Sequence, residues 1–189
     1  KLGHEVYKIQ DYKNIKNGDL CFILSCEKII PEEYLKLNKH NLVIHESALP
    51  QGKGWSPLTW QVLEGENKIP ITLFEAADKV DSGKIYLQDI IKLDGTELNV
   101  ELKRKQGLKT KELILDFVNQ YPDIDGRLQY GEETYYPKRT PKDSELDPDK
   151  TIREQFDLLR VVDNDRYPAF FKMKGKKYII KIFKDDSDE

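Results

Sequence analysis

Two side chains that can carry protons follow strand-like apolar runs in this chain. His45 lies near the end of the run NLVIHE, and Asp81 lies in the loop ADKVDSG that follows the run ITLFEA. Open α/β sheets bind ligands beyond the carboxyl ends of their strands, so both residues are candidates for one site. A carboxylate beside an imidazole fixes the tautomer of the ring and favours its charged form, which suits proton transfer near neutral pH. A hydrogen-bonded structural histidine and an Asp-Ser-Gly turn remain the alternative.

The elements that must position these residues alternate between strand and helix patterns. Strands are predicted for the apolar runs DLCFILS, NLVIHE, ITLFEA and KIYLQDIIKL. A short helix is predicted for PEEYLKL, and a second helix has Ser56 as N-cap, Pro57 as its first residue and Gly65 after its end. A long helical pattern covers residues 94–120 and is weakened near Gly107. This alternation predicts an open α/β sheet.

The two ends of the chain differ from its middle. The start, KLGHEV, has the pattern of a helix end followed by a strand from Glu5, so a first strand and helix of the fold are expected to be absent from the sequence. After Asp123 the chain is rich in Pro, Gly and Asp, which predicts a linker. A helix from Asp147 and a hairpin turning at Lys174 and Gly175 follow. We therefore predict a larger domain of residues 1–122 and a linker with a small α+β subdomain over residues 123–189.

The composition restricts the class of partner. The formal net charge is -3, with 38% hydrophobic and 34% charged residues, which argues against a nucleic-acid or membrane surface. No apolar run approaches the ~18 to 20 residues that would span a bilayer. The two cysteines, Cys21 and Cys26, predict free thiols in a reducing cytoplasm. No residues have the spacing of a metal site.

The ordered set of motifs resembles the formyltransferases that use 10-formyltetrahydrofolate. The elements that carry the resemblance are His45, the turn SALP, the loop GKGWSP with the helix behind it, and Asp81-Ser82-Gly83. The later stretch from KRTPKDSELDPD to YPAFFKMKGKKYIIKI is similar to the smaller C-terminal part of sugar-nucleotide and methionyl-tRNA members. The resemblance covers about residues 20 to 182. It implies a Rossmann-like formyltransferase sheet.

The resemblance also implies roles for particular residues. His45 matches the catalytic histidine of the family, and Asp81 matches its catalytic aspartate. The family has an asparagine two residues before the histidine, where this chain has Val43. Loss of such a hydrogen-bond donor for a developing oxyanion typically costs about 10²–10³ in rate. Asn41, on the same strand face and about 7 Å from Val43, is a candidate replacement.

Two loops are expected to hold the folate through main-chain groups, as the family resemblance implies. The residues of these loops assigned to the folate are Ser25, Cys26, Glu27 and Ile29 in the first, and Ala76, Asp78 and Val80 in the second. Lys53 and Trp55 lie in the loop where an acceptor would approach. Lys53 is assigned to an acceptor phosphate, with a solvated lysine as the alternative. Trp55 is assigned to stacking on the acceptor, with packing under the loop as the alternative.

The expected activity is transfer of a formyl group from 10-formyltetrahydrofolate to a primary amine. The short C-terminal part and the acidic charge favour a nucleotide-linked amino sugar as acceptor over a tRNA. We expect a cytoplasmic protein with a small-molecule substrate, and a homodimer is possible. The alternatives are an enzyme similar to methionyl-tRNA formyltransferase, an enzyme that hydrolyses formyltetrahydrofolate, and a relative whose chemistry is lost through Val43.

Overall fold

The computed structural model describes residues 3–77 and 79–185, and it contains eight strands and four α-helices in these ranges. The strands are β1 (Gly18–Ile23), β2 (Asn38–His45), β3 (Lys53–Gly54), β4 (Lys68–Glu75), β5 (Ile85–Lys92), β6 (Tyr135–Tyr136), β7 (Ala169–Met173) and β8 (Lys176–Ile180). The helices are α1 (Glu32–Leu35), α2 (Pro57–Leu63), α3 (Asn99–Gln120) and α4 (Phe156–Val161). Short 3-10 turns cover Tyr12–Asn14, Pro141–Ser144 and Arg153–Gln155.

The central sheet has the order β1-β2-β4-β5 and is mixed. Strands β1 and β2 run parallel, whereas β4 runs antiparallel to both β2 and β5. In the β2–β4 pair, His45 lies opposite Thr72 and Leu42 lies opposite Glu75. The α/β class predicted from the sequence is confirmed. The loop that carries Asp81 connects β4 to β5 and starts beside the middle of β2, so it must fold back to reach His45.

The core lies between this sheet and the helices that cover it. Leu42, Ile71 and Leu73 of the sheet are fully buried, as is Phe117 of α3. Helix α3 runs through Gly107 without interruption, because its apolar residues gain more from burial than one glycine costs. Burial of one large apolar side chain is worth about 1.5–3 kcal/mol, against about 1 kcal/mol for the glycine.

The chain after residue 122 packs back onto the larger unit. Strand β6 pairs in parallel with β3, with Lys53 opposite Tyr135. In α4, Val161 is buried in the main core and Arg160 is 1% exposed. The boundary at residues 122/123 therefore lies within a continuous set of contacts and stays a prediction.

Three local predictions have clear outcomes. The hairpin of β7 and β8 is confirmed, with Lys174 (φ 50°) and Gly175 (φ 72°) in the left-handed region that type I′ turns require. The strand expected from Glu5 is wrong, because residues 4–9 form no regular structure. The helix expected from Asp147 starts later, since Asp147 Oδ1 accepts a hydrogen bond from Asp149 N (3.0 Å) and closes a turn there.

Within the described ranges, no helix is both long and apolar enough to cross a membrane.

Candidate active site

His45 is the last residue of β2 and its ring is almost enclosed. The residue is 8% exposed, and its Nε2 donates to Gly52 O at 2.9 Å. A carbonyl oxygen can only accept, so this contact assigns the proton of the neutral ring to Nε2 and leaves the lone pair on Nδ1.

Asp81 meets His45 from the β4–β5 loop. Its Oδ2 lies 3.7 Å from His45 Nε2, which is close for two opposite charges but too long for a direct hydrogen bond. The same oxygen accepts from Gly54 N at 2.9 Å. Gln129 Nε2 fixes the loop by donating to the carbonyl oxygens of Asp81 and Gly83, both at 2.9 Å. The structure therefore brings together the two residues that the sequence analysis paired.

Close backbone contacts hold the two loops of the site in place. A Cβ added to Gly54 (φ 96°) would lie 2.6 Å from Tyr136 O, and one added to Gly83 would lie 1.7 Å from Glu75 O. Neither position can accept a side chain without movement of the backbone. The loop between His45 and α2 thus needs glycine at position 54 because strand β6 passes beside it.

Val43 and Asn41 occupy the strand face that leads to His45. Val43 packs against an apolar cluster of Leu49, Phe74 and Ile85 and offers no donor. The side-chain nitrogen Nδ2 of Asn41 donates to Leu35 O at 2.8 Å, at the connection between α1 and β2. The Asn41 side chain is therefore bonded on the side of α1 and away from His45. This geometry does not support Asn41 as the replacement for the missing donor at position 43.

Glu46 was missed by the sequence analysis. Its Oε1 accepts a hydrogen bond from Gln106 Nε2 of α3 at 2.7 Å, and its carbonyl oxygen accepts from Gln61 Nε2 at 2.6 Å. Burial raises the pKa of the Glu46 carboxyl, while the hydrogen bond from Gln106 and the charge of His45 act in the opposite direction. The strand end is thereby tied to both α2 and α3, which fixes the position of His45. A glutamate that follows a histidine in the sequence does not by itself predict contacts with two distant helices.

The two loops assigned to the folate lie on the surface. Ser25 (φ 51°), Cys26, Glu27 and Ile29 are exposed, and no amide of residues 26–29 donates to another described residue. In the second loop, Ala76 N donates to Asn41 O at 2.6 Å and Val80 is 57% exposed. Asp78 lies outside the described residues. Free main-chain amides in the first loop fit a ligand that is held by the backbone.

The structure places the two residues assigned to the acceptor differently from each other. Lys53 is 1% exposed, and its Nζ pairs with Glu133 Oε1 at 2.7 Å. This corrects both earlier interpretations of Lys53, because a buried and paired ammonium is neither solvated nor free to bind a phosphate. Trp55 is 36% exposed, with Lys138 Nζ 4.1 Å from the centre of its ring. Its side chain remains accessible.

A second polar cluster lies beside the start of the Asp81 loop. His40 Nδ1 lies 3.0 Å from Glu75 Oε2, and Tyr86 OH donates to the same oxygen at 2.9 Å. The residues around His40 in the sequence do not predict these contacts. The partners come from β4 and β5, so only the pairing of the strands reveals them.

Comparisons with known proteins agree with this geometry. Residues 5–118 match the formyl transferase family. The chain is 30% identical over 176 residues to the bifunctional polymyxin resistance protein ArnA of Wigglesworthia glossinidia brevipalpis, an alignment that covers 90% of this chain and 27% of that protein. It is 28% identical to GDP-perosamine N-formyltransferase of Brucella melitensis, over 86% of this chain and 64% of that enzyme. The structure of methionyl-tRNA formyltransferase from Clostridium thermocellum superposes with a TM-score of 0.72 at 25% identity, covering 88% of this chain and 74% of that one.

The chain therefore belongs to the formyl transferase family, and its fold is the Rossmann-like fold of the formyltransferases. The chain spans 27% and 64% of the lengths of the two curated relatives named above.

Proposed function

We propose that this protein is an N-formyltransferase that moves a formyl group from 10-formyltetrahydrofolate to a primary amine, with a nucleotide-linked amino sugar as the acceptor. The observation that carries the proposal is the pair of His45 and Asp81, 3.7 Å apart and each bonded to the same short loop. Both residues lie within residues 5–118, which match the formyl transferase family, and this supports the reaction type.

The donor supplies an electrophilic formyl carbon, and the protein supplies the groups that manage charge and protons. His45 Nε2 donates a hydrogen bond to Gly52 O. Negative charge that develops on the formyl oxygen can accept this hydrogen bond in place of Gly52 O. Alternatively, Nδ1 of the neutral ring holds the lone pair that can accept the proton lost by the amine; the two ring nitrogens point apart, so His45 performs one of these two roles at the tetrahedral carbon. Asp81 lies on the Nε2 side, where its charge stabilises the imidazolium that results. Gly54 N keeps the carboxylate in that position.

The donor has a binding surface in the two loops around β1 and β4. The amides of residues 26–29 have no partner among the described residues, and they can serve as donors to the polar edge of a pterin. The residues assigned to this surface are Ser25, Cys26, Glu27 and Ile29 with Ala76 and Val80.

The net charge of the chain and its relatives both support a nucleotide-linked amino sugar as the acceptor. The net charge of -3 disfavours a polyanion such as tRNA, and GDP-perosamine N-formyltransferase is a relative over 86% of the chain. Similarity to methionyl-tRNA formyltransferase keeps a tRNA acceptor as the second candidate. Val43 is the feature that favours a relative without activity, because it offers no donor to the formyl oxygen.

The test is an assay of tetrahydrofolate release from 10-formyltetrahydrofolate with a panel of nucleotide-linked 3- and 4-amino sugars. We expect release that depends on one sugar and that His45→Ala abolishes. Release without any sugar would mean hydrolysis, and release that requires methionyl-tRNA would select the second candidate. Folate binding without release under all these conditions would contradict the proposed activity.

A further inference from the structure

A groove of about 200 Å³ lies next to the candidate active site. Its walls come from the start of α2, the start of α3, and the segments after β6 and α4. The side chains that matter here are Trp55, Lys103, Lys138, Arg139, Arg166 and Tyr167. Trp55 directly follows Gly54, whose amide holds Asp81. The groove therefore begins one residue away from the loop that positions the proposed catalytic pair.

The groove is basic although the chain as a whole is acidic. Four cationic side chains line it against two carboxylates, Glu27 and Asp163, in a protein of net charge -3. A local excess of positive charge in a concave site attracts anions.

The two carboxylates of the groove do not neutralise all of its cations. Asp163 accepts from the backbone amides of Asp165 and Arg166, both at 3.0 Å, and pairs with Lys103 at 3.1 Å. These contacts hold the pKa of Asp163 at about 2, so its charge is already compensated by the protein. Glu27 and Lys138 are 3.7 Å apart with more than half of each side chain exposed, which makes a weak pair. Lys138, Arg139 and Arg166 thus remain as cations for a ligand.

Arg139 has a buried nitrogen that its neighbours in the described part of the chain leave unpaired. One terminal nitrogen, Nη2, donates to Asp143 O at 2.7 Å, but its Nε is buried with no hydrogen-bond partner among the described residues. A buried N–H without a partner is rare in native proteins, and a ligand oxygen is one way in which such a group is satisfied. Arginine also presents its N–H groups in the planar arrangement that suits phosphate oxygens.

Trp55 adds an apolar surface to the basic groove. Its ring is 36% exposed and is flanked on one side by Lys138 Nζ. An aromatic ring beside cationic side chains can contact the sugar or base of a nucleotide while the cations contact its phosphates.

We propose that this groove binds the diphosphate of a nucleotide-linked acceptor, through Lys138, Arg139 and Arg166, with Trp55 against the attached sugar or base. The proposal rests on the proposed function, because it takes the acceptor to be phosphorylated and to present its amine to His45. The groove and the catalytic pair are adjacent along the chain, because Gly54 N holds Asp81 and the next residue, Trp55, lines the groove.

The experiment is isothermal titration of the protein with UDP, GDP and dTDP, each beside its nucleoside. We expect one diphosphate to bind at least tenfold more tightly than its nucleoside. The double variant Lys138→Gln/Arg166→Gln is expected to weaken that binding at least tenfold. Lys142→Gln is the matched control, since Lys142 is exposed, lies in the same stretch of chain and does not line the groove. In turnover, the double variant is expected to raise the KM for the acceptor with little change in kcat.

Three results would overturn the groove proposal. They are the absence of diphosphate binding to the wild-type protein, equal affinity of the double variant and the wild type, and loss of tRNA binding in the double variant while no diphosphate binds. Binding of 10-formyltetrahydrofolate, measured in the same variants, separates this proposal from the proposed function. If the groove proposal alone fails, folate binding and release dependent on His45 persist. If the proposed function fails, folate does not bind or is not turned over even in the wild type.

Discussion

Two polar clusters connect the sheet to the C-terminal third of the chain, and they differ in how completely their groups are paired. One centres on Arg160 of α4 and Glu97, which precedes α3. The other centres on His45 and Asp81, with the loop Gly52–Gly54 between them. Both clusters are largely buried, and they differ in their hydrogen bonds rather than in their exposure.

The Arg160 cluster is satisfied by the protein itself. The guanidinium donates to Glu97 Oε2 (3.2 Å), Asp157 Oδ1 (2.8 Å) and Asn67 Oδ1 (3.1 Å). Burial opposes ionisation of Glu97, but hydrogen bonds from Lys105 and from the amide of Asp94 hold its pKa below the ordinary value. A buried ion pair with every group paired leaves no polar group open to a ligand, and breaking it by removal of one partner is costly to the fold.

The His45 cluster is left incomplete. His45 and Asp81 do not bond each other directly, and the buried Ser47 Oγ has no partner among the described residues. Groups that are held near each other but not saturated can form new bonds to a substrate. We propose from this difference that Arg160 serves stability and His45 serves chemistry, and substitutions can test this distinction.

The largest effect is expected for His45→Gln. We expect the rate of formyl transfer to fall by about 10²–10⁴, the range for loss of a general acid or base. Stability should fall by only about 1 kcal/mol, the value of one hydrogen bond. Tetrahydrofolate release and urea unfolding measure the two quantities, with His4→Gln at an exposed histidine as control. A variant that keeps its activity would remove His45 from the mechanism.

Arg160→Met should show the opposite pattern. The substitution removes at once the hydrogen bonds of the guanidinium to Asn67, Asp157 and Glu97. Lys105 still pairs with Glu97. We therefore expect a loss of about 1–3 kcal/mol in the free energy of unfolding, the cost of leaving buried polar groups without a partner. The rate per folded molecule at low temperature should change little. Urea unfolding checks the first expectation, and Arg153→Met, at an exposed arginine, is the control. A loss below about 1 kcal/mol would show that the cluster is not what joins α4 to the sheet.

Val43→Asn sharpens the comparison by adding a donor to the incomplete cluster. If the position works as in the resembled family, the rate should rise by about 10²–10³. The same change places an amide against Leu49, Phe74 and Ile85, so stability should fall by about 1–3 kcal/mol. Val43→Ala, which changes the side chain without supplying a donor, provides the control. An unchanged rate in a folded Asn variant would mean that the chemistry here does not use a donor at this position.

The smallest effect is expected for Asp163→Asn, at the rim of the groove. The pKa of Asp163 is lowered to about 2, so its ionised form stabilises the folded state above the ordinary pKa of about 4. This contribution is lost as the pH falls from about 4 to about 2. The difference in unfolding free energy between wild type and variant should therefore be present at pH 6 and shrink towards pH 2. The exposed Asp149→Asn is expected to show no such trend, and a difference that does not depend on pH would contradict the assignment.

Local patterns in the sequence were enough to predict several elements and the central pair of the site. Ser56, Pro57 and Gly65 gave the limits of α2, and Lys174-Gly175 gave the β7–β8 turn, because the residues that fix these features are neighbours in the chain. His45 and Asp81 were paired through the family resemblance and through their positions after two strands. The expectation that both strands end at one edge of the sheet is wrong, because β4 runs antiparallel to β2 and the Asp81 loop reaches His45 only by folding back.

Only the tertiary structure decided how these elements are held together. Lys53 and Glu133 are 80 residues apart, and Arg160 and Asn67 are 93 apart, so no local pattern links them. Gln129 and Tyr136 lie in a stretch that the sequence describes only as a linker, yet they fix the Asp81 loop and the Gly54 loop. The sequence by itself predicted the strands of the central sheet and the helices α2 and α3, and it identified His45 and Asp81 as candidates. The path of the linker determined their geometry, because hydrogen bonds between distant segments form only once the core has placed those segments side by side.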